Sequence, residues 1–148
     1  MRFLLKSANR TIFTKAGWQE TLSDGEIEHV LAANRSFYEA FGSLDIGEME
    51  KVWEHSNDVL CVHPSSDIIA GWPDVRQSWV DIFYNTTLMH FNITDAQVQI
   101  RGDCAWVSCH ENISTVLDGR AGNFTVRTTN IFAKVDGEWK MVHHHGAG

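Results

Sequence analysis

Asp136-Gly137-Glu138-Trp139-Lys140-Met141-Val142-His143-His144-His145 is a tight turn feeding an aromatic, histidine-rich strand. Asp-Gly between extended segments is a strong hairpin signal, because both residues tolerate the left-handed backbone that a two-residue turn requires. Working back from it, three long segments alternate apolar and polar residues, at roughly 88–101, 104–117 and 123–135. They are joined at Gly102-Asp103 and at Asp118-Gly119…Gly122. Four extended segments linked in this way predict an antiparallel meander.

Upstream of residue 88 the period lengthens. Ser23-Asp-Gly-Glu26 reads as a capping box, in which the hydroxyl and the carboxylate satisfy free helix N–H groups reciprocally. Ile27, Val30, Leu31, Phe37, Tyr38 and Phe41 follow at helical spacing, and Gly42 is placed to supply a left-handed stop. A second short helix begins near Asp45 and carries Ile46, Met49, Val52 and Trp53. Asp58-Val-Leu-Cys-Val-His63 reads as a buried strand stopped by Pro64. Pro73 suits the first turn of a third helix with Val75, Trp79, Ile82 and Phe83. Helices first and a meander after them predict an α+β domain with helices packed on one face of a curved antiparallel sheet.

The chain has 148 residues, enough for one domain with a single core, and is 43% hydrophobic and 21% charged. A net charge of −7 argues against a nucleic-acid or anionic-membrane surface, which needs clustered Lys and Arg. No apolar run approaches the roughly 18–20 residues of a membrane span. Residues 1–19 contain Arg2, Lys6, Arg10 and Lys15 and no acid. They read as a basic N-terminal arm, with an organelle transit peptide as the alternative, ahead of a single domain over 20–148. Cys61, Cys104 and Cys109 lack zinc-type spacing and read as buried free thiols of a reducing, cytoplasmic setting. Six Asn-X-Ser/Thr sequons occur, at Asn9, Asn34, Asn85, Asn92, Asn112 and Asn123, but Asn34 falls mid-helix and no secretory signal accompanies them. They are read as chance.

Strand parity assigns the sheet faces. Trp106, Ser108, His110 and Asn112 share one face of the middle strand; Ala105, Val107, Cys109, Glu111, Ile113 and Leu117 share the other. In the next strand Thr128, Asn130 and Phe132 oppose Arg127, Thr129, Ile131 and Ala133. The mixed polar and aromatic face is expected to line a cavity beneath the helices. The apolar face is expected to be covered by a second copy, giving a homodimer through the outer sheet face around Cys109, Ile113 and Ile131.

From about residue 23 to 148 the chain resembles the NTF2-like superfamily, in its SnoaL-like and ketosteroid-isomerase-like branch. The resemblance is carried by Phe37-Tyr38-Glu-Ala, Trp53, Asp58-Val-Leu-Cys-Val-His63-Pro64, Ile69-Ala-Gly71-Trp72, Gly102-Asp-Cys-Ala-Trp106-Val, Asn130-Ile-Phe132 and Asp136 to His145. The last stretch is also similar to the association domain of calmodulin-dependent kinase II. The resemblance implies an NTF2-like cone: three N-terminal helices packed in the concave face of a strongly curved antiparallel sheet, with a blind pocket between. It implies His63 as general base at the end of the first long-range strand and Asn130 as an oxyanion donor. The tyrosine position of the steroid enzyme's first helix falls on Phe37, with Tyr38 beside it. It also implies that His144 faces the cavity while His143 and His145 face outward.

His63 is therefore the leading catalytic candidate, since an imidazole titrates near neutrality without help. Asn130, His110 and His144 complete the catalytic set. Tyr38, Trp72, Trp79, Phe83, Trp106, Ser108 and Asn112 are the candidate ligand-contacting residues, while Trp53 and Trp139 read as core. His63, His110 and His144 have no local ligand spacing, so no metal is assigned. No glycine-rich phosphate loop implies a nucleotide, and no cofactor is expected. Two functions stay open: a domain binding a small organic molecule, with isomerase, cyclase or dehydratase chemistry beside a carbonyl, and a non-catalytic ligand-binding or self-association module.

Overall fold

The computed structural model describes residues 11–13, 19–21 and 24–148. Strands β1 (Thr11–Phe13) and β2 (Gln19–Thr21) pair antiparallel with each other. The Ser23 end of the expected capping box and most of the expected basic arm lie outside the described residues.

Helix α1 (Asp24–Ser43), α2 (Ile46–Val52) and α3 (Trp72–Asn85) pack against a curved, unclosed sheet of six strands. Its members are β3 (Leu60–Val62), β4 (Ile69–Ala70), β5 (Thr86–Arg101), β6 (Cys104–Leu117), β7 (Arg120–Val135) and β8 (Glu138–Ala147), in the order β4-β3-β8-β7-β6-β5. The α+β, NTF2-like architecture expected from the sequence is what forms. The meander turns as its residues require: Asp118 and Gly119 have φ of 49° and 74°, Asp136 and Gly137 of 50° and 80°. Paired positive φ values twist the backbone in the sense that matches the flanking strands.

Two local expectations are corrected. Gly42 stays helical, and the left-handed stop after α1 is Leu44, at φ 56°. A non-glycine residue pays for that conformation, and here Leu44 recovers it by packing its side chain on the core. Cys104 is exposed; only Cys61 and Cys109 are buried free thiols. Asp45 caps α2 as expected, accepting from Gly47 N at 2.7 Å.

The larger correction concerns the sheet faces. Alternate residues of β6 from Ala105 to Thr115 are buried beneath the helices, Glu111 and Cys109 among them. Trp106, Ser108, His110 and Asn112 lie on the outer face, where they pair with Ile131, Thr129, Arg127 and Thr125 of β7. The apolar face is therefore covered by the chain's own helices and not by a second copy. The outer face carries Gln97, Gln99, Thr94 and Asn92 from β5 as well, and so lacks the apolar area from which a dimer was inferred. The phase of β7 is as expected, with Thr128, Asn130 and Phe132 buried.

The core is aromatic. Trp79 lies with Phe37 at 5.7 Å, Phe41 at 4.8 Å and Phe83 at 6.1 Å between ring centroids, in edge-on or tilted contacts. No helix of the described residues is long and apolar enough to cross a membrane. The face assignment is checked by urea denaturation: Phe132→Ala should cost about 3–5 kcal/mol by opening a cavity, whereas Thr129→Ala, on the other side of the same strand, should stay within about 0.5 kcal/mol.

Candidate functional site

One strand pairing in this sheet is parallel, and it builds the site. β3 runs alongside β8 with Cys61 opposite His144 and Val62 opposite His145. His63 lies two residues beyond Cys61 and so shares its face, which brings the His63 and His144 rings to 6.2 Å. The end of β8 is held close: a Cβ on Gly146 would stand 3.0 Å from Val126 Cγ1 and 3.4 Å from Pro64 Cδ. A side chain there would press on Val126 and reach contact with the proline that ends the His63 strand.

His63 is half-buried, edge-on to Trp79 at 4.7 Å. Its Nε2 lies 2.9 Å from Ser78 Oγ. The Ser78 hydroxyl hydrogen goes to the carbonyl of Val75 at 2.7 Å, so the oxygen must accept from His63. The proton therefore sits on Nε2, and Nδ1 keeps its lone pair, with the Cys61 sulfur 3.9 Å away. Burial lowers the His63 pKa to about 4. His144, fully buried, is held well below the usual imidazole range by burial, with the neighbouring His63, His143 and His145 adding to the effect. Both rings are neutral at pH 7.

From His144 a hydrogen-bond chain crosses the core. His144 Nδ1 donates to Asn130 Oδ1 at 2.7 Å. Asn130 Nδ2 donates to Asn34 Oδ1 at 2.9 Å and to the Tyr38 hydroxyl at 3.1 Å. Tyr38 Oη lies 2.7 Å from Glu111 Oε1 and 3.5 Å from Cys109 Sγ. Asn34, Glu111, Asn130 and His144 are each at most 3% exposed. Burial raises the Glu111 pKa, against the opposing hydrogen bonds of Tyr38 and Thr128. No ion pair to a cation is formed by Glu111 among the described residues.

The expected site residues separate into groups. His63, His144, Asn130, Tyr38, Trp79 and Phe83 are in or against the helix-covered core. Asn130 is committed, because both amide hydrogens are already donated within the chain just described; it has none left for an oxyanion. His110, Trp106, Ser108 and Asn112 are on the far side of the sheet from His63. There His110 Nδ1 pairs with Asp95 Oδ2 at 2.9 Å, Ser108 meets Thr129 at 3.3 Å, Asn112 bonds Asn92, Thr94 and Thr125, and Trp106 lies 5.9 Å from the Arg101 guanidinium. The mixed chemistry forms a cross-strand ladder on the outer face, where Ser108 and His110 line an open hollow of about 410 Å³ with Asp95, Gln97, Arg127 and Thr129. Trp72 stacks on His55 at 4.4 Å, away from the imidazole pair. Among the described residues no group of three or more His, Cys, Asp or Glu is placed to hold a metal ion.

Two participants were not read from the sequence as such. Glu111 is an acid in the middle of an apolar alternation, and Asn34 is an amide on the apolar stripe of α1, between Val30 and Phe37. Each interruption signals a buried polar group that requires a partner.

The SnoaL-like domain profile matches residues 30–147. The chain belongs to the SnoaL-like family. It is 33% identical to a proposed dehydratase of the NTF2-like family from Streptomyces avermitilis, with a TM-score of 0.79, covering 84% of this chain and 96% of that one. A proposed calcium/calmodulin-dependent protein kinase type II association domain from Thiobacillus denitrificans is similar at 25% identity and TM-score 0.70, covering 79% and 92%. The F-box protein SKIP8 of Arabidopsis thaliana is 29% identical over 131 residues, 88% of this chain and 53% of SKIP8. This SnoaL-like chain thus spans about half the length of the curated relative it matches.

The buried acid has a measurable consequence. A carboxyl whose folded pKa is raised contributes stability that is fully present below the ordinary carboxylate range and is lost as pH rises through the folded value. Glu111→Gln removes that loss. Its stability relative to the unaltered protein should therefore grow between pH 4 and pH 8 in parallel denaturant titrations; a pH-independent difference would mean that Glu111 is ionised in the fold.

Proposed function

We propose that this domain binds a small organic molecule and moves a proton on the carbon beside its carbonyl group, an isomerase-, cyclase- or dehydratase-type step, with His63 as base. One observation carries the reading. The His63 Nδ1 lone pair is met only by the weak Cys61 thiol at 3.9 Å, and the ring lies edge-on to Trp79, whose buried indole N–H has no hydrogen-bond partner among the described residues. A buried N–H left without an acceptor costs about 1–3 kcal/mol, so native proteins seldom tolerate one without a purpose. A weakly engaged acceptor on the half-buried His63 and an unpartnered donor on the adjoining Trp79 support a substrate that supplies both complements.

The roles follow from that pairing. His63 takes the proton, and the Trp79 N–H stabilises charge developing on the carbonyl oxygen, the task that the family resemblance implied for Asn130. Asn130 and His144 act as positioning residues. A base with a pKa near 4 is already deprotonated at neutral pH, but it is weak, so it suits a C–H acidified by an adjacent carbonyl. The similarity to the Streptomyces avermitilis protein is in keeping with this class of step.

The test is proton exchange in deuterated water, followed by ¹H NMR over a panel of enones and β-hydroxy ketones. At least one compound should lose its α-hydrogen signal faster with protein than without. His63→Gln should slow that exchange by about 10²-fold or more while the protein stays folded. The pH profile of kcat/KM should fall only as pH drops through about 4, the pKa that burial gives His63. A limb near 6.5, or exchange indifferent to His63→Gln, would overturn the assignment.

A further inference from the structure

Asn34 has a free hand. Its side-chain oxygen is fixed by Asn130 Nδ2 at 2.9 Å, which leaves the amide nitrogen on the other side of the group. That nitrogen makes no hydrogen bond within the described residues, although the residue is only 3% exposed. Asn34 lines a groove of about 530 Å³ between α1 and β5, and this nitrogen is the part of its side chain left out of the buried hydrogen-bond chain. Leu31, Met89, Phe91 and Ile93 give that groove apolar walls, and Tyr38 lines it beside Asn34. Arg35 lies at the groove but is engaged by Glu28 at 2.6 Å. Glu39 and His90 add polar groups to the lining, and an apolar-walled hollow with a few polar groups, one of them a fixed donor, is the usual form of a small-molecule site.

We propose that the α1/β5 groove binds a small, largely apolar molecule through one carbonyl oxygen, which accepts from the Asn34 amide. The hydrogen bond from Asn130 holds the donor in place before the ligand arrives, so little rotamer freedom is lost on binding. The same bond connects the groove to the buried chain that ends at His144. Asn34 is a ligand-binding residue, and Asn130 positions it. The proposal shares with the preceding section only the premise that the domain takes a small molecule, and does not require His63 to be a base.

Three probes of similar size separate the possibilities: acetophenone, which offers only an acceptor, aniline, which offers a donor, and ethylbenzene, which offers neither. Titrations followed by ¹H–¹⁵N NMR should show acetophenone binding at least tenfold more tightly than the other two, and shifting the Asn34 side-chain NH₂ resonances. Asn34→Asp keeps the oxygen that Asn130 needs but sets a carboxylate against the ligand, and should weaken acetophenone at least tenfold. Ala96→Trp, at the exposed rim of the groove, should block all binding without touching the core. His63→Gln should bind like the unaltered protein. Equal affinity for acetophenone and ethylbenzene, preference for aniline, or binding unaffected by Ala96→Trp would each overturn the proposal. Loss of proton exchange in His63→Gln with binding retained separates its fate from that of the His63 reading.

Discussion

The side chain of Asn130 is the junction on which the interior depends. It stands on β7 with no exposure, and its three polar contacts reach two other elements of the fold: His144 on β8, and Asn34 and Tyr38 on α1. Each of these groups is itself buried, so each would cost about 1–3 kcal/mol if its partner were removed. The chain is therefore all or nothing. It sets which turn of α1 lies over β7, because a helix displaced by one turn would leave the amide facing Phe37 or Phe41. Hydrophobic burial supplies most of the attraction between helix and sheet but is nearly indifferent to register. The amide supplies the register.

Much of this architecture can be read in the sequence because it is locally encoded. Asp118-Gly119 and Asp136-Gly137 mark hairpins through backbone preferences that need no tertiary help. Pro73 and Asp45 mark helix starts in the same way. The site was harder. Parity divides the residues of β6 into two sets without saying which set the helices cover. The set with Trp106, Ser108, His110 and Asn112 has the composition of a binding pocket, yet its polar groups satisfy one another across the outer face. The set with Val107 and Cys109 looks like plain core, and conceals Glu111. Apolar content was the better guide, since helices must bury their own stripes against something. The parallel pairing of β3 with β8, which brings His63 to His144, joins residues about eighty positions apart and has no local signature.

Burial drives the imidazoles of His63 and His144 to lose their protons and pushes the carboxyl of Glu111 upward from its usual value, against hydrogen bonds that favour its charge. None of the three forms an ion pair among the described residues. The chain from His144 to Glu111 therefore consists of donors and acceptors rather than ion pairs. Such a chain fixes direction: once Ser78 and Asn130 have dictated the tautomers, the lone pair of each ring is left on the nitrogen away from its anchor.

That direction bears on where a ligand can act. The centre of the cone is occupied by Phe37, Phe41 and Trp79, with ring centroids 4.8–5.9 Å apart, so no ligand passes through it without displacing them. The proposed roles of His63 and Asn34 therefore lie at the margins of this aromatic packing, His63 at the β3/β8 pairing and Asn34 at the α1/β5 groove. The same amide, Asn130, is bonded to Asn34 directly and to His144, the neighbour of His63. Members of this fold differ in what they do with one scaffold, so function has to be argued from the buried polar groups of each chain rather than from the fold.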